Sequence, residues 1–213
     1  MIKLPILTDE CAHSCQSNAN GAVQQRFIIT PTMGTASDPG IDRWQTDLLV
    51  LTAMSHSHFT EGMRKIDTAL SGQLAQALEQ SEFRGHRQDQ PVLVPGTPGV
   101  SGACHYLVVG LGQYRYFGGS AVCDLFGTVL DQALKLGAAK VTLPIPPNRQ
   151  TSRQVNLKGT AAVIACRLDH FAKANPKVKL PLIEFFCTAQ AARHLAAGLG
   201  IAPSSCQQCP LES

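Results

Sequence analysis

Apolar runs alternate with polar segments along the chain, and the spacing of the apolar residues predicts the secondary structure. The clearest unit begins with an apolar run at residues 106–111, passes through a turn that contains four glycines, and continues into residues 122–136, where apolar residues recur every three or four positions. The first pattern is typical of a buried strand and the second of a helix with one apolar face, which Gly137 is expected to end. Strand, glycine turn and helix together form the unit of an α/β sheet that is covered on both faces.

Similar units are predicted over most of the chain, in which strand-like and helix-like patterns alternate through the second half. The predicted strands are residues 26–30, 47–53, 91–95, 106–111, 140–145 and 180–187, and the predicted helices are residues 61–80, 122–136, 157–172 and 189–199. This order predicts the α/β class, as a three-layer α/β/α sandwich around a mixed, mostly parallel sheet.

Particular residues refine this prediction. The continuous apolar run at 47–53 indicates a central strand, whereas Pro91 and Pro95 indicate a strand near an edge of the sheet. Gly72 either breaks the helix at 61–80 or marks a close contact. Thr188 is expected to be the N-cap of the last helix.

Composition indicates one domain, because 44% of the 213 residues are apolar and only 15% are charged. We predict an irregular N-terminal tail at residues 1–25, an α/β domain at 26–200 and a C-terminal tail at 201–213. The net charge of +3 comes without a dense Lys/Arg block, so a nucleic acid is not the expected partner. Because no apolar run approaches the roughly 20 residues that span a bilayer, and no signal peptide is recognisable, we expect a cytoplasmic protein with no membrane contact.

Four short segments occur in a recognisable order: TDLLVL at 46–51, IDTALSGQL at 66–74, EFRGH at 82–86 and YLVVGLG at 106–112. In sequence and in order they resemble the N-terminal domain of the leucyl aminopeptidase family, over roughly residues 45–190. The resemblance implies a macro-domain-like α/β fold. No stretch resembles the two-metal motifs of that family's separate catalytic domain, so the resemblance carries over no catalytic residue and we expect no peptidase activity.

Macro domains that bind ADP-ribose are a second comparison, and the match is less complete. They use an Asn-Ala-Ala-Asn stretch after the second strand and a glycine-rich loop before the next helix. The corresponding residues here read LTAMSH at 51–56 and TEGMR at 60–64. A nucleotide-like or ADP-ribose-like ligand is therefore kept as an alternative.

Ligands of α/β proteins bind at the carboxyl ends of the strands, so the candidate cleft is lined by residues 52–61, 110–119 and 146–153. The glycines in the second segment would let backbone N–H groups approach an anion, or would simply let the strand turn sharply into its helix. The candidate ligand-binding residues are Thr52, His56, His58, Gly110, Gly112, Tyr114, Arg115 and Gly118.

The side chains of this cleft each have an alternative interpretation. His56 and His58 would suit a metal or an acid–base site, or belong to a solvated loop. Tyr114 and Arg115 would stack a base or hold a phosphate, or pack over the end of the sheet.

Eight cysteines fall into two groups. Those in predicted strands or helices are expected to behave as small buried apolar residues: Cys104, Cys123, Cys166 and Cys187. Those in the tails would hold a zinc ion if the termini meet, or belong to mobile tails: Cys11, Cys15, Cys206 and Cys209. No other cofactor is expected.

The favoured function is a non-catalytic binding or assembly module that resembles the aminopeptidase N-terminal domain and acts as a homo-oligomer or with a protein partner. The first alternative is a small-ligand-binding protein, or an enzyme, that uses the cleft at the strand ends. The second is a weak DNA-binding accessory domain, which would require the scattered Lys and Arg residues to converge on one face.

Overall fold

The computed structural model describes residues 12–15, 25–29, 45–55, 60–97, 102–145 and 157–199, which contain seven strands and five α-helices. The strands are β1 (Ala12–Cys15), β2 (Gln25–Ile29), β3 (Thr46–Ala53), β4 (Val92–Pro95), β5 (Ala103–Gly110), β6 (Lys140–Pro144) and β7 (Leu182–Cys187). The helices are α1 (Glu61–Ala69), α2 (Gln73–Gln80), α3 (Gly119–Leu136), α4 (Leu157–Ala174) and α5 (Ala189–Leu199), with a short 3-10 helix at Tyr114–Tyr116.

All seven strands form one sheet in the order β1-β2-β7-β6-β3-β5-β4. The five inner strands run parallel to one another, and β1 and β4 pair antiparallel at the two edges. β3 lies between β6 and β5, which confirms that the apolar run at 47–53 is a central strand. The mixed, mostly parallel sheet predicted from the sequence is also confirmed.

Side chains that alternate along the strands separate two apolar layers. Leu48 and Val50 of β3 pack with α3, α4 and α5, whereas Leu49 and Leu51 pack on the opposite face with α1 and α2. All four are at most 4% exposed. Burying a side chain of this size contributes about 1.5–3 kcal/mol. The three-layer α/β/α sandwich is therefore confirmed, with its cores on both faces of the sheet.

The predicted helix at 61–80 is two helices, α1 and α2, because the chain turns at Gly72. This glycine has φ +85°, and a Cβ built on it would meet nothing within 4 Å, so the residue breaks the helix and marks no close contact. The side chain of Asp67 in α1 stabilises the start of α2, because its Oδ1 accepts the N–H of Ala75 at 2.8 Å.

Ala12–Cys15 forms β1 inside the segment that was predicted to be an irregular tail, and it pairs with β2 from Ala12↔Ile28 to Cys15↔Gln25. The four residues AHSC carry no apolar alternation, so only their pairing with β2 makes them a strand. Elsewhere the caps agree with the sequence. Gly137 ends α3 with φ +63°, and Thr188 Oγ1 accepts the N–H of Ala191 at 3.3 Å.

β4 is the edge strand that its prolines predict. The N–H of Gly96 donates to Cys104 O at 2.7 Å, and the strands pair as Val94↔Tyr106. In an antiparallel ladder, alternate residues point their backbone groups at the partner strand, so those of Leu93 and Pro95 point away from the sheet. Because proline has no N–H, this edge presents fewer donors to a neighbouring strand.

Within the described ranges, no helix is both long enough and apolar enough to span a bilayer.

Candidate functional site

β3 and β6 are neighbouring parallel strands whose following helices leave the sheet in opposite directions. β3 is followed by α1 on one face of the sheet, and β6 is followed by α4 on the opposite face. The two strands pair at Leu48↔Val141 and Leu49↔Thr142, and the recorded pairing does not extend to the last four residues of β3. Adjacent parallel strands whose helices lie on opposite faces leave a crevice between their ends, where α/β proteins bind ligands. This space is called the β3–β6 crevice below.

On its other side β3 borders β5, and there a loop covers the strand ends. Residues 83–90, called the clasp loop below, follow α2 and lie against both strands. A Cβ at Gly85 would lie 2.5 Å from Met54 O, and a Cβ at Gly110 would lie 2.1 Å from His86 O. Gly85 also has φ +76°. Only glycine fits at these positions, because backbone meets backbone there.

Hydrogen bonds connect the clasp loop to the ends of β3 and β5. The N–H of Ser55 donates to Gly112 O, and the N–H of Gly112 donates to Gly85 O, each at 2.9 Å. Ser55 Oγ lies 2.9 Å from His86 Nδ1 and 3.2 Å from Gly85 O. Both contacts are satisfied when Nδ1 carries the proton, since the hydroxyl then accepts from His86 and donates to the carbonyl. Ser55 therefore fixes the end of β3.

The clasp loop has its own internal support and an anchor on α3. Asp89 Oδ2 accepts the N–H groups of Arg84 at 2.7 Å and His86 at 2.9 Å. Arg87 Nε donates to Asp124 Oδ2 at 2.6 Å, and its Nη1 donates to Ser120 Oγ at 3.1 Å. An ion pair at this degree of exposure contributes about 0.2–1 kcal/mol. Arg87 is thus a neutralised, structural arginine.

A second arginine lies on the 3-10 helix that follows Gly112. The guanidinium carbon of Arg115 lies 4.6 Å from the ring centroid of Tyr116, and Arg115 Nε donates to Gln113 Oε1 at 3.1 Å. Tyr116 is 65% exposed. Phe117 is buried among the residues that contact α3, so the turn stands on the α3 side of the sheet end.

The residues predicted from the sequence are distributed as follows. Thr52 is half-buried near the end of β3 and pairs with Val109 of β5. Gly110 and Gly112 contact the clasp loop, and Gly118 is the buried N-cap of α3. These four residues, with Tyr114 and Arg115, all lie at the end of the sheet where the parallel strands have their carboxyl ends. His56 and His58 lie outside the described residues.

Several residues at this end of the sheet were not predicted. No structural role was predicted for residues 81–90, yet Gly85 is buried and His86 is half-buried, because the clasp loop folds over β5. Ser55 lies in the predicted cleft segment 52–61 but was not named as a candidate, and His86 and Asp124 were not predicted. The signal that was available is Gly85, a glycine inside the EFRGH segment.

The cysteine predictions have mixed outcomes. Cys104 was expected to be buried and is exposed, because it occupies a solvent-facing position at the start of β5. Cys166 and Cys187 are buried, and burial raises the pKa of the Cys187 thiol to about 12. The backbone of Cys15 belongs to β1, while Cys11, Cys206 and Cys209 lie outside the described residues. In the part of the chain that the structure covers, no three His, Cys, Asp or Glu side chains are grouped to hold a metal ion, and the tail zinc site stays a prediction.

Residues 50–174, more than half of the chain, match the model of the cytosol aminopeptidase family, N-terminal domain. No curated protein matches the sequence.

Solved structures of macrodomains share the fold. The Oceanobacillus iheyensis macrodomain with ADP has a TM-score of 0.62 and 11% identity, over 88% of this chain and 95% of that one. The Trypanosoma brucei macrodomain in complex with ADP has a TM-score of 0.56 and 14% identity, over 83% and 69%. The Trypanosoma brucei macrodomain in complex with ADP-ribose has a TM-score of 0.53 and 13% identity, over 80% and 67%. The macro-domain-like fold expected from the sequence is thereby confirmed.

The contact between Gly110 and the clasp loop predicts the effect of one added methyl group. Gly110→Ala is expected to lower the free energy of unfolding by about 1–3 kcal/mol, because the Cβ must displace the backbone of His86. Urea denaturation followed by circular dichroism measures this change. Gly72→Ala is the control, since its Cβ enters open space and only backbone strain opposes it. Equal losses in the two variants would contradict the proposed contact.

The cysteines are expected to differ in reactivity. At pH 8 iodoacetamide should modify Cys104 of the folded chain, while Cys187 remains unmodified because its pKa of about 12 keeps the buried thiol protonated. Peptide mapping by mass spectrometry distinguishes the two sites, and labelling in urea is the control in which both react. Early labelling of Cys187 in folded protein would be inconsistent with its burial.

Proposed function

The chain belongs to the N-terminal domain family of the cytosol aminopeptidases, and we propose that it works as a non-catalytic module that binds a nucleotide-like ligand in the β3–β6 crevice. The observation that carries this proposal is that β3 and β6 are neighbouring parallel strands whose following helices lie on opposite faces of the sheet.

The surroundings of the crevice suit an anionic ligand. The N-terminus of α1 follows β3, and the first N–H groups of a helix carry partial positive charge. Thr60 Oγ1 accepts the N–H of Met63 at 3.3 Å. The Thr60 side chain therefore caps one N–H group of the first turn and does not cap the others. Gly62 in the same turn is buried. An anionic group at the end of β3 would therefore meet favourable dipoles.

The ligand class is supported by the fold and limited by the sequence. The macrodomains named above were solved with ADP or ADP-ribose, and their fold is the fold of this chain. The segment LTAMSH at 51–56 replaces the Asn-Ala-Ala-Asn stretch of macro domains that bind ADP-ribose. We therefore propose a nucleoside phosphate and expect ADP to bind at least as tightly as ADP-ribose.

A bulky side chain in the crevice should block the ligand. We expect Thr52→Trp to weaken ADP binding at least tenfold, because Thr52 is a half-buried residue at the end of β3. Isothermal titration calorimetry of the full chain gives the dissociation constant. Thr68→Trp is the matched control, since Thr68 is exposed on α1 and its hydroxyl bonds Arg64 O of the same helix.

Two results would contradict the proposal. One is the absence of binding of ADP, AMP and ADP-ribose at millimolar concentration. The other is equal affinity in Thr52→Trp and the unsubstituted chain. Native mass spectrometry of the same protein reads the number of subunits and any retained small molecule together. An oligomer with nothing bound would favour the assembly module instead.

The non-catalytic part of the proposal has its own test. We expect no release of leucine from a leucyl amide when the pure chain is supplied with Mn²⁺ or Zn²⁺, because no stretch of the sequence resembles the two-metal motifs of the family's catalytic domain. Release that a chelator abolishes would overturn this expectation. An aminopeptidase assayed in the same buffer is the positive control.

A further inference from the structure

We propose that the outer surface of α3 and α4 binds a second copy of this chain, with Arg167 of each copy paired to Asp131 of the other. Arg167 extends from α4 onto α3, where its guanidinium lies against Gly127. A Cβ built on Gly127 would lie 2.7 Å from Arg167 Nη2 and 3.3 Å from Arg167 Nε. The missing side chain at Gly127 therefore makes room for a guanidinium on α3.

The charge of Arg167 is not compensated within the described chain. The residue is half-buried, and its Nε is shielded from solvent without a hydrogen-bond partner. Asp124 lies about one turn before Gly127 on α3, but it is already bonded to Arg87. No ion pair of the described residues includes Arg167. A half-buried charge without a counter-charge raises the free energy of the fold, and a carboxylate that arrives from outside would lower it.

Asp131 provides a carboxylate on the same surface. It follows Gly127 by four residues, so the two lie on one face of α3 and about 6 Å apart along the helix. Asp131 is exposed, and in the part of the chain that the structure describes it forms no ion pair. Leu134 follows on this face, and its side chain is 40% exposed. The surface thus combines an uncompensated cation, an exposed carboxylate and an exposed apolar side chain.

This combination favours a second copy because the surface is complementary to itself. In a dimer with twofold symmetry, residue i of one copy contacts residue j of the other, and residue j contacts residue i. The guanidinium of Arg167 lies beside Gly127, one helical turn from Asp131, so a single rotation by 180° brings both ion pairs together near the axis. The N–H groups of each guanidinium fit two oxygens of the facing carboxylate.

The experiment changes the two charges one at a time. Arg167→Asp gives a chain with two acidic residues on this surface, and Asp131→Arg gives a chain with two basic ones. Sedimentation velocity should show that each change raises the dissociation constant of the dimer about tenfold or more. An equimolar mixture of the two variants should recover the dimer, because both interface pairs then join opposite charges. An ion pair within one chain cannot produce this recovery.

Arg193→Asp is the matched control, because it makes the same charge change at an exposed position on α5. It should leave the dissociation constant within about twofold, and circular dichroism confirms that each variant is folded. Three results would overturn the proposal: an unsubstituted chain that stays monomeric at the highest attainable concentration, a dimer that both variants retain, or a mixture that recovers no dimer. The measurement uses no nucleotide, so its outcome is independent of the ligand proposed for the β3–β6 crevice.

Discussion

The arrangement of the strand ends depends on the contact between the backbone of His86 and the end of β5. The clasp loop rests on Gly110 where no side chain fits, and Gly85 meets Met54 in the same way on β3. Because two backbone segments touch directly, the ends of β3 and β5 are held together by hydrogen bonds that do not depend on side-chain rotamers. Ser55 is then fixed by bonds to Gly112, Gly85 and His86, and the 3-10 helix begins just after this contact.

The same contact makes the two sides of β3 different at the carboxyl ends of the strands. β3 has a neighbour on each side, and the helices that follow both neighbours lie on the face opposite to α1. A crevice would therefore be expected on either side of β3. The clasp loop covers the β5 side with its backbone, so the proposed crevice is the one on the β6 side. The two nearby arginines differ as well: Arg87 ties the loop to α3, whereas Arg115 contacts Tyr116 and has no acidic partner among the described residues.

Secondary structure that depends on neighbouring residues could be predicted from the sequence. Contacts between residues that are far apart in the chain could not. Apolar runs identified six strands, and the continuous run at 47–53 correctly indicated a central one. β1 was missed because AHSC becomes a strand only through β2. The clasp loop was missed because residues 81–90 are polar, and nothing in a polar segment shows that its Gly85 will lie against Met54. The residues of the candidate site were found as a list of neighbours in sequence. Which residues are structural depends on partners such as Asp124, which lies far from Arg87 in the chain.

Pro95 of β4 has a consequence for how copies of this chain meet. Leu93 and Pro95 direct their backbone groups away from the sheet, and only one of the two carries a donor. A second copy laid beside β4 would find an incomplete ladder, so a continuous sheet running from one molecule into the next is disfavoured on this side. A homo-oligomer of this protein would then form through another surface, and its subunits would separate without disturbing the pairing of β4 with β5.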